Sequence, residues 1–103
     1  MKQPMDLASF EAKAAEVALL LKALGNARRL MLLCKLVEHG EMNAGDLARE
    51  VGLSQSACSQ HLAKMRDEGF VGTRRESQTV WYAITDGRIE ALMATLYTLY
   101  CKD

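Results

Sequence analysis

Apolar residues recur near the start of the chain at helical spacing: Phe10, Ala14, Val17, Leu21 and Leu24, with Leu20 beside them. That is one stripe of an amphipathic helix, and Gly25-Asn26 ends it. Asn26 is a strong N-cap. A second helix is therefore predicted from Ala27 to about His39, closed by Gly40. Its apolar face reads as Leu30, Leu33, Cys34 and Val37. A third, short helix starts at Asn43, with Asp46 three residues on as in a capping box. It runs to about Glu50 and turns Leu47 and Ala48 inward. Val51-Gly52-Leu53 makes a tight turn, and Ser54 caps a fourth helix from Gln55 to about Glu68, stopped by Gly69.

After Gly69 the period changes. Phe70-Val71 through Arg75 and Thr79 through Ile84 are rich in β-branched and aromatic residues, joined by the polar turn Glu76-Ser77-Gln78. This predicts a β-hairpin with Arg74 and Arg75 near its tip. Thr85 or Asp86 caps a last helix to about Cys101. That helix is apolar on more than one face, through Ile89, Leu92, Met93, Leu96, Tyr97, Leu99 and Tyr100. So apolar a terminal helix in so short a chain asks for a cover. A partner protomer is the simplest one, with Val17, Leu21, Leu92, Leu96 and Leu99 as interface residues.

The expected order is α-α-α-α-β-β-α, a mainly α fold with a β-hairpin, in a single domain over residues 1–103. Two short helices joined by a glycine-containing turn are the helix-turn-helix pattern. A hairpin after them makes it winged. The fourth helix then enters a major groove, and the wing places Arg74 and Arg75 near phosphate or the minor groove. Ser54, Gln55, Ser56, Ser59, Gln60 and Lys64 form a polar face able to reach base edges or phosphate, while Ala57, Cys58, Leu62 and Met65 pack inward. His61 stands between the two faces, with a packing role and a base contact both open.

Charge tempers this picture. The chain carries 13 basic and 13 acidic residues, so it lacks the excess of a protein that coats nucleic acid. Binding DNA then requires basic residues sorted onto one face. Lys64, Arg66, Arg74 and Arg75 supply such a stripe, and Arg28 and Arg29 add phosphate contacts. Met1 to Phe10 has no apolar run, and Val17 to Leu24 is broken by Lys22, so neither a secretory signal nor a membrane span is expected. The expectation is a cytoplasmic protein. Three cysteines in such a chain are no disulfide framework.

The segment Gly52-Leu53-Ser54-Gln55-Ser56-Ala57-Cys58-Ser59-Gln60-His61-Leu62, followed by Met65-Arg66 and Gly69, resembles the recognition segment of ArsR/SmtB repressors. Asn26-Ala27-Arg28-Arg29-Leu30 is similar to that family's second-helix entry, and Arg74-Arg75-Glu76 with Val80-Trp81-Tyr82 to its wing. The resemblance spans nearly the whole chain. It implies a homodimer, joined by first and last helices, that represses an operon and releases DNA on binding a metal or on a thiol reaction. Such a dimer reads an inverted repeat in double-stranded DNA, with recognition helices about 34–36 Å apart.

Neither usual metal site of the family survives in these residues. Met42-Asn43-Ala44-Gly45-Asp46 holds no cysteine, and Asp86 has no histidine after it. A tetrahedral zinc site needs about four suitable ligands. No metal or other cofactor is expected. Cys34 in Leu33-Cys34-Lys35 and Cys101 in Tyr100-Cys101-Lys102 resemble the thiol pair of the family's persulfide-responsive branch, the BigR and SqrR type with HlyU-like members. That resemblance implies that reactive sulfur species bridge the two thiols by a disulfide or polysulfide and weaken DNA binding. Read alone, Cys34 is a small core hydrophobe. Cys58 reads as packing filler. The alternatives are a soft metal or metalloid effector, arsenite or zinc, held by Cys34 and Cys101, and a winged helix serving protein interaction alone. A thiol oxidoreductase lacks Cys-x-x-Cys and a βαβ pattern, so no catalytic residue is assigned and no enzyme is expected.

Overall fold

A computed structural model describes residues 6–101. Its elements in chain order are α1 (Leu7–Leu24), α2 (Ala27–His39), β1 (Met42–Asn43), α3 (Ala44–Val51), α4 (Gln55–Asp67), β2 (Val71–Glu76), β3 (Thr79–Ile84) and α5 (Gly87–Tyr100). Lys102, expected beside the Cys101 thiol, lies outside the described residues.

Local capping sets the helix starts. Asn26 Oδ1 accepts from the backbone N–H groups of Arg28 and Arg29 at 2.9 and 3.1 Å. Asn43 Oδ1 accepts from Asp46 N–H at 2.8 Å, Ser54 Oγ from Ala57 N–H at 3.1 Å, and Asp86 Oδ1 from Arg88 N–H at 2.9 Å. Each satisfies a donor that the first helical turn leaves unpaired, stabilising its helix by about 1 kcal/mol. Between α3 and α4 the chain turns through Gly52 at φ +78°, where its N–H and that of Leu53 both reach the Ala48 carbonyl. A Cβ there is strained, so glycine fits the turn.

The hairpin runs in register from Val71 opposite Ile84 to Glu76 opposite Thr79. Glu76 thus belongs to the strand, and Ser77-Gln78 alone makes the turn, with Ser77 at φ +55°. The sheet has a third strand that the sequence pattern does not show. β1 pairs antiparallel with β3, Met42 opposite Tyr82 and Asn43 opposite Trp81, giving the order β1-β3-β2. Asn43 therefore ends a strand and caps α3 at once.

Leu32, Leu33, Leu47, Cys58, Leu62, Met65 and Ile89 are the fully buried centre. This corrects the face read for α2. The core takes Leu32, Leu33 and Leu36, while Cys34 and Val37 are exposed and Leu30 is half-buried. The helix is apolar on two sides, and the sheet and α3 claim the other one. The stripe of α1 needs a similar correction. Only Leu20, Ala23 and Leu24 are buried, whereas Phe10 is 51% and Leu21 54% exposed. The helix meets the core at its C-terminal end alone. Its free length shows in a radius of gyration of 15.3 Å, against about 13 Å for a compact chain of this length.

Candidate nucleic-acid interface and thiol groove

The two sides of α4 are chemically distinct. Cys58, Leu62 and Met65 are fully buried, three and four residues apart on one face. Gln55, Ser56, Ser59, Gln60 and Lys64 are exposed on the other. Ser54 is exposed too, but its hydroxyl oxygen serves the N-cap. The free amide and hydroxyl groups are the kind that pair with base edges, and Lys64 suits phosphate.

His61 occupies the boundary. It is half-buried, and its Nδ1 accepts from Arg29 Nε–H at 3.3 Å, linking α4 to the first turn of α2. Burial first, then the Arg29 and Arg28 cations, hold its imidazolium below the ordinary histidine range. The folded state therefore resists protonation that the unfolded chain accepts. As pH falls through the unfolded value, the unfolded state binds more protons and stability drops. Urea midpoints should fall between about pH 7 and about pH 5, and the fall should be smaller in His61→Gln. The difference between the two proteins isolates His61 from His39. Parallel pH profiles would show that His61 contributes nothing.

On the wing, Arg74 is held by carboxylates. Its Nε and Nη2 donate to the two oxygens of Glu41 at 3.0 and 2.8 Å, and Nη1 to Glu76 at 3.3 Å. Glu41 sits below the ordinary carboxylate range because of Arg74, and Arg74 is raised in return. No spacing rule could have found Glu41, which lies 33 residues from its partner. Arg75 is exposed.

The three thiols are free and differ sharply. Cys58 is fully buried and its Sγ–H points at the Ala44 carbonyl, 3.6 Å away. Burial pushes its thiol up, which disfavours the reactive thiolate. Cys34 and Cys101 are exposed. The core-filler reading of Cys34 does not hold, because the α2 face that carries it turns away from the core. Both thiols line one open groove of about 840 Å³ between α2 and α5. Met31, Val37, Tyr97 and Tyr100 wall it, and Glu38 is the one charged lining residue among the described residues. Cys34 stands on the α2 side of this groove and Cys101 at the C-terminal end of α5.

The residues expected at a dimer interface remain partly or wholly uncovered. Val17, Leu92 and Leu96 are half-buried, Leu21 is exposed, and Leu99 is 69% exposed. An ion pair between Glu16 and Arg88 ties α1 to α5. Among the described residues no helix is long and apolar enough to cross a membrane, and no three His, Cys, Asp or Glu side chains are grouped to hold a metal ion.

A family profile described as bacterial regulatory protein, arsR family, matches residues 26–73. The transcriptional activator HlyU of Vibrio cholerae is 44% identical over 99 residues, 96% of this chain and 91% of that protein. The HTH-type transcriptional regulator YgaV of Escherichia coli is 45% identical over 96 residues, 93% of this chain and 97% of that one. The crystal structure of the transcriptional repressor BigR from Xylella fastidiosa matches with a TM-score of 0.87 at 40% identity, covering 96% of this chain and all of that one.

Proposed function

The chain belongs to the arsR family of bacterial regulatory proteins, and on that footing we propose that it is a homodimeric repressor released from its operator when reactive sulfur species bridge Cys34 and Cys101. It is a DNA-binding transcriptional regulator, not an enzyme. In this reading α4 lies in the major groove and reads bases through Gln55, Ser56, Ser59 and Gln60. Lys64 and the wing add phosphate contacts, which supply most of the affinity. Two protomers join through α1 and α5, whose uncovered leucines and tyrosines support it. Their recognition helices then meet successive major grooves of an inverted repeat.

The observation that carries the switch is that the two exposed thiols line one groove while the third is buried. One thiolate attacks the sulfane sulfur of inorganic polysulfide, displacing a shorter polysulfide and leaving a persulfide. The other thiolate attacks the inner sulfur of that persulfide and expels hydrosulfide. Two thiols lose two electrons in all, and one sulfane sulfur gains them as sulfide. If both thiols become persulfides first, attack of one on the other expels hydrogen sulfide and leaves a three-sulfur bridge. Such a bridge needs less approach of the backbones than a direct disulfide, which requires Cα atoms within about 7 Å.

Mass spectrometry of the intact reduced protein, with peptide mapping, tests the reading after exposure to polysulfide, peroxide or zinc. The expected products with polysulfide are a Cys34–Cys101 disulfide and a cross-link that carries extra sulfur, the second formed by polysulfide alone. Modification scattered over other residues, or none at these two, would sink the switch and leave a DNA-binding regulator with another effector.

A further inference from the structure

The wing's two arginines stand in different chemical situations. Arg74 directs Nε, Nη1 and Nη2 at carboxylates, and its guanidinium lies 6.0 Å over the Trp81 ring. The fork onto both Glu41 oxygens is the geometry of a fixed pair, unlike the single contact of most surface ion pairs. Arg75 is exposed and makes no ion pair among the described residues.

Strand alternation separates them further. Trp81 lies between Arg74 on β2 and Asn43 on β1, so Glu41 falls on the same face, one pleat along. Arg75 is opposite Val80, on the face that takes Val71 into the core. Glu41 comes two residues ahead of Asn43, the cap of α3, and α3 leads through Gly52 into α4. The Glu41–Arg74 pair therefore ties the hairpin to the start of the helix-turn-helix.

We propose that the Glu41–Arg74 pair is a strut that sets the wing relative to α4, and that Arg75 is the wing cation that takes a DNA phosphate. The inference rests on the reading of α4 and the wing as the DNA-contacting surface. Arg74 is then a positioning residue, and its charge is already matched by Glu41 before DNA arrives. DNA gains no counterion release from it, because the guanidinium stays on protein carboxylates.

The test uses the full chain and a fluorescent mixed-sequence duplex long enough for a dimer, titrated by anisotropy over a salt series. Arg75→Ala should flatten the plot of log affinity against log salt by about 0.9 per protomer, the slope of one phosphate contact. Arg74→Glu should weaken binding at every salt. The reversed pair, Glu41→Arg with Arg74→Glu, should recover wild-type affinity to within roughly twofold and the wild-type slope. Arg74→Glu with Glu11→Arg on α1 restores net charge elsewhere and should stay weak. An unrescued reversed pair, rescue by Glu11→Arg, or an unchanged slope in Arg75→Ala each overturns the inference. So does tighter, more salt-dependent binding by Glu41→Gln, which would make Glu41 a decoy for a phosphate-seeking Arg74. Wild-type protein that binds no duplex overturns the DNA reading itself, and the inference with it.

Discussion

Cys34→Ser and Cys101→Ser proteins will bind operator as tightly as wild type and will keep it in the presence of polysulfide. Wild type will let go, with affinity falling by about 5- to 150-fold, the range of ordinary allosteric coupling. The serines leave the DNA surface alone, because both positions are exposed on the groove between α2 and α5. The proposed route to DNA runs through α2. That helix carries Cys34 on its groove side and Arg29 in its first turn, and Arg29 is hydrogen-bonded to His61 of α4. A bridge that pulls α2 toward α5 bears on that contact. The measurement is anisotropy on a duplex selected from a random pool, with reduced and polysulfide-treated protein side by side. Release of the Cys34→Ser protein by polysulfide would remove Cys34 from the switch.

Leu62→Ala should cost about 2–5 kcal/mol of folding stability. Leu62 is fully buried on the inner face of α4, among Cys58, Met65 and the α3 residue Leu47 in one core cluster. Truncation removes apolar burial and leaves a cavity that two capped helices cannot easily close. For a chain of this size the melting temperature should drop by roughly 10 °C or more. Gln60→Ala, two residues away and exposed, should stay within about 0.5 kcal/mol. Urea unfolding at fixed protein concentration compares them, since dimerisation makes apparent stability concentration-dependent. Equal midpoints for the two variants would mean that the α4 inner face is not part of the core.

Much of the helix-turn-helix is legible in the sequence because its signals are local. Asn26, Asn43, Ser54 and Asp86 each bond a backbone N–H two or three residues ahead, and the chain alone displays that spacing. The inner and outer faces of α4 are legible for the same reason. What depends on distant partners is not. β1 is two residues long and exists only because β3 lies alongside, some forty residues later. The α2 face is ambiguous because Leu30, Leu33, Cys34 and Val37 keep helical spacing as well as Leu32, Leu33 and Leu36 do. The choice between them is made by tertiary packing. Glu41 lacks any signature as the partner of Arg74, and Arg74 and Arg75 look alike in the sequence. Cys34 in isolation reads as core, and only the turning of α2 exposes it.

The burial of Cys58 gives the protein an internal gauge of its own breathing. Two cysteines meet solvent in the folded chain and the third does not. An alkylating reagent should therefore consume two thiols per protomer quickly and the last one slowly. Cys58 lies against the Ala44 carbonyl, at the seam between α3 and α4, so the reagent reaches it only when that seam parts. When reclosing is faster than alkylation, the slow rate divided by that of an unfolded thiol gives the fraction of time the seam stands open. That number can be followed with and without DNA, and with Cys34 and Cys101 bridged or free.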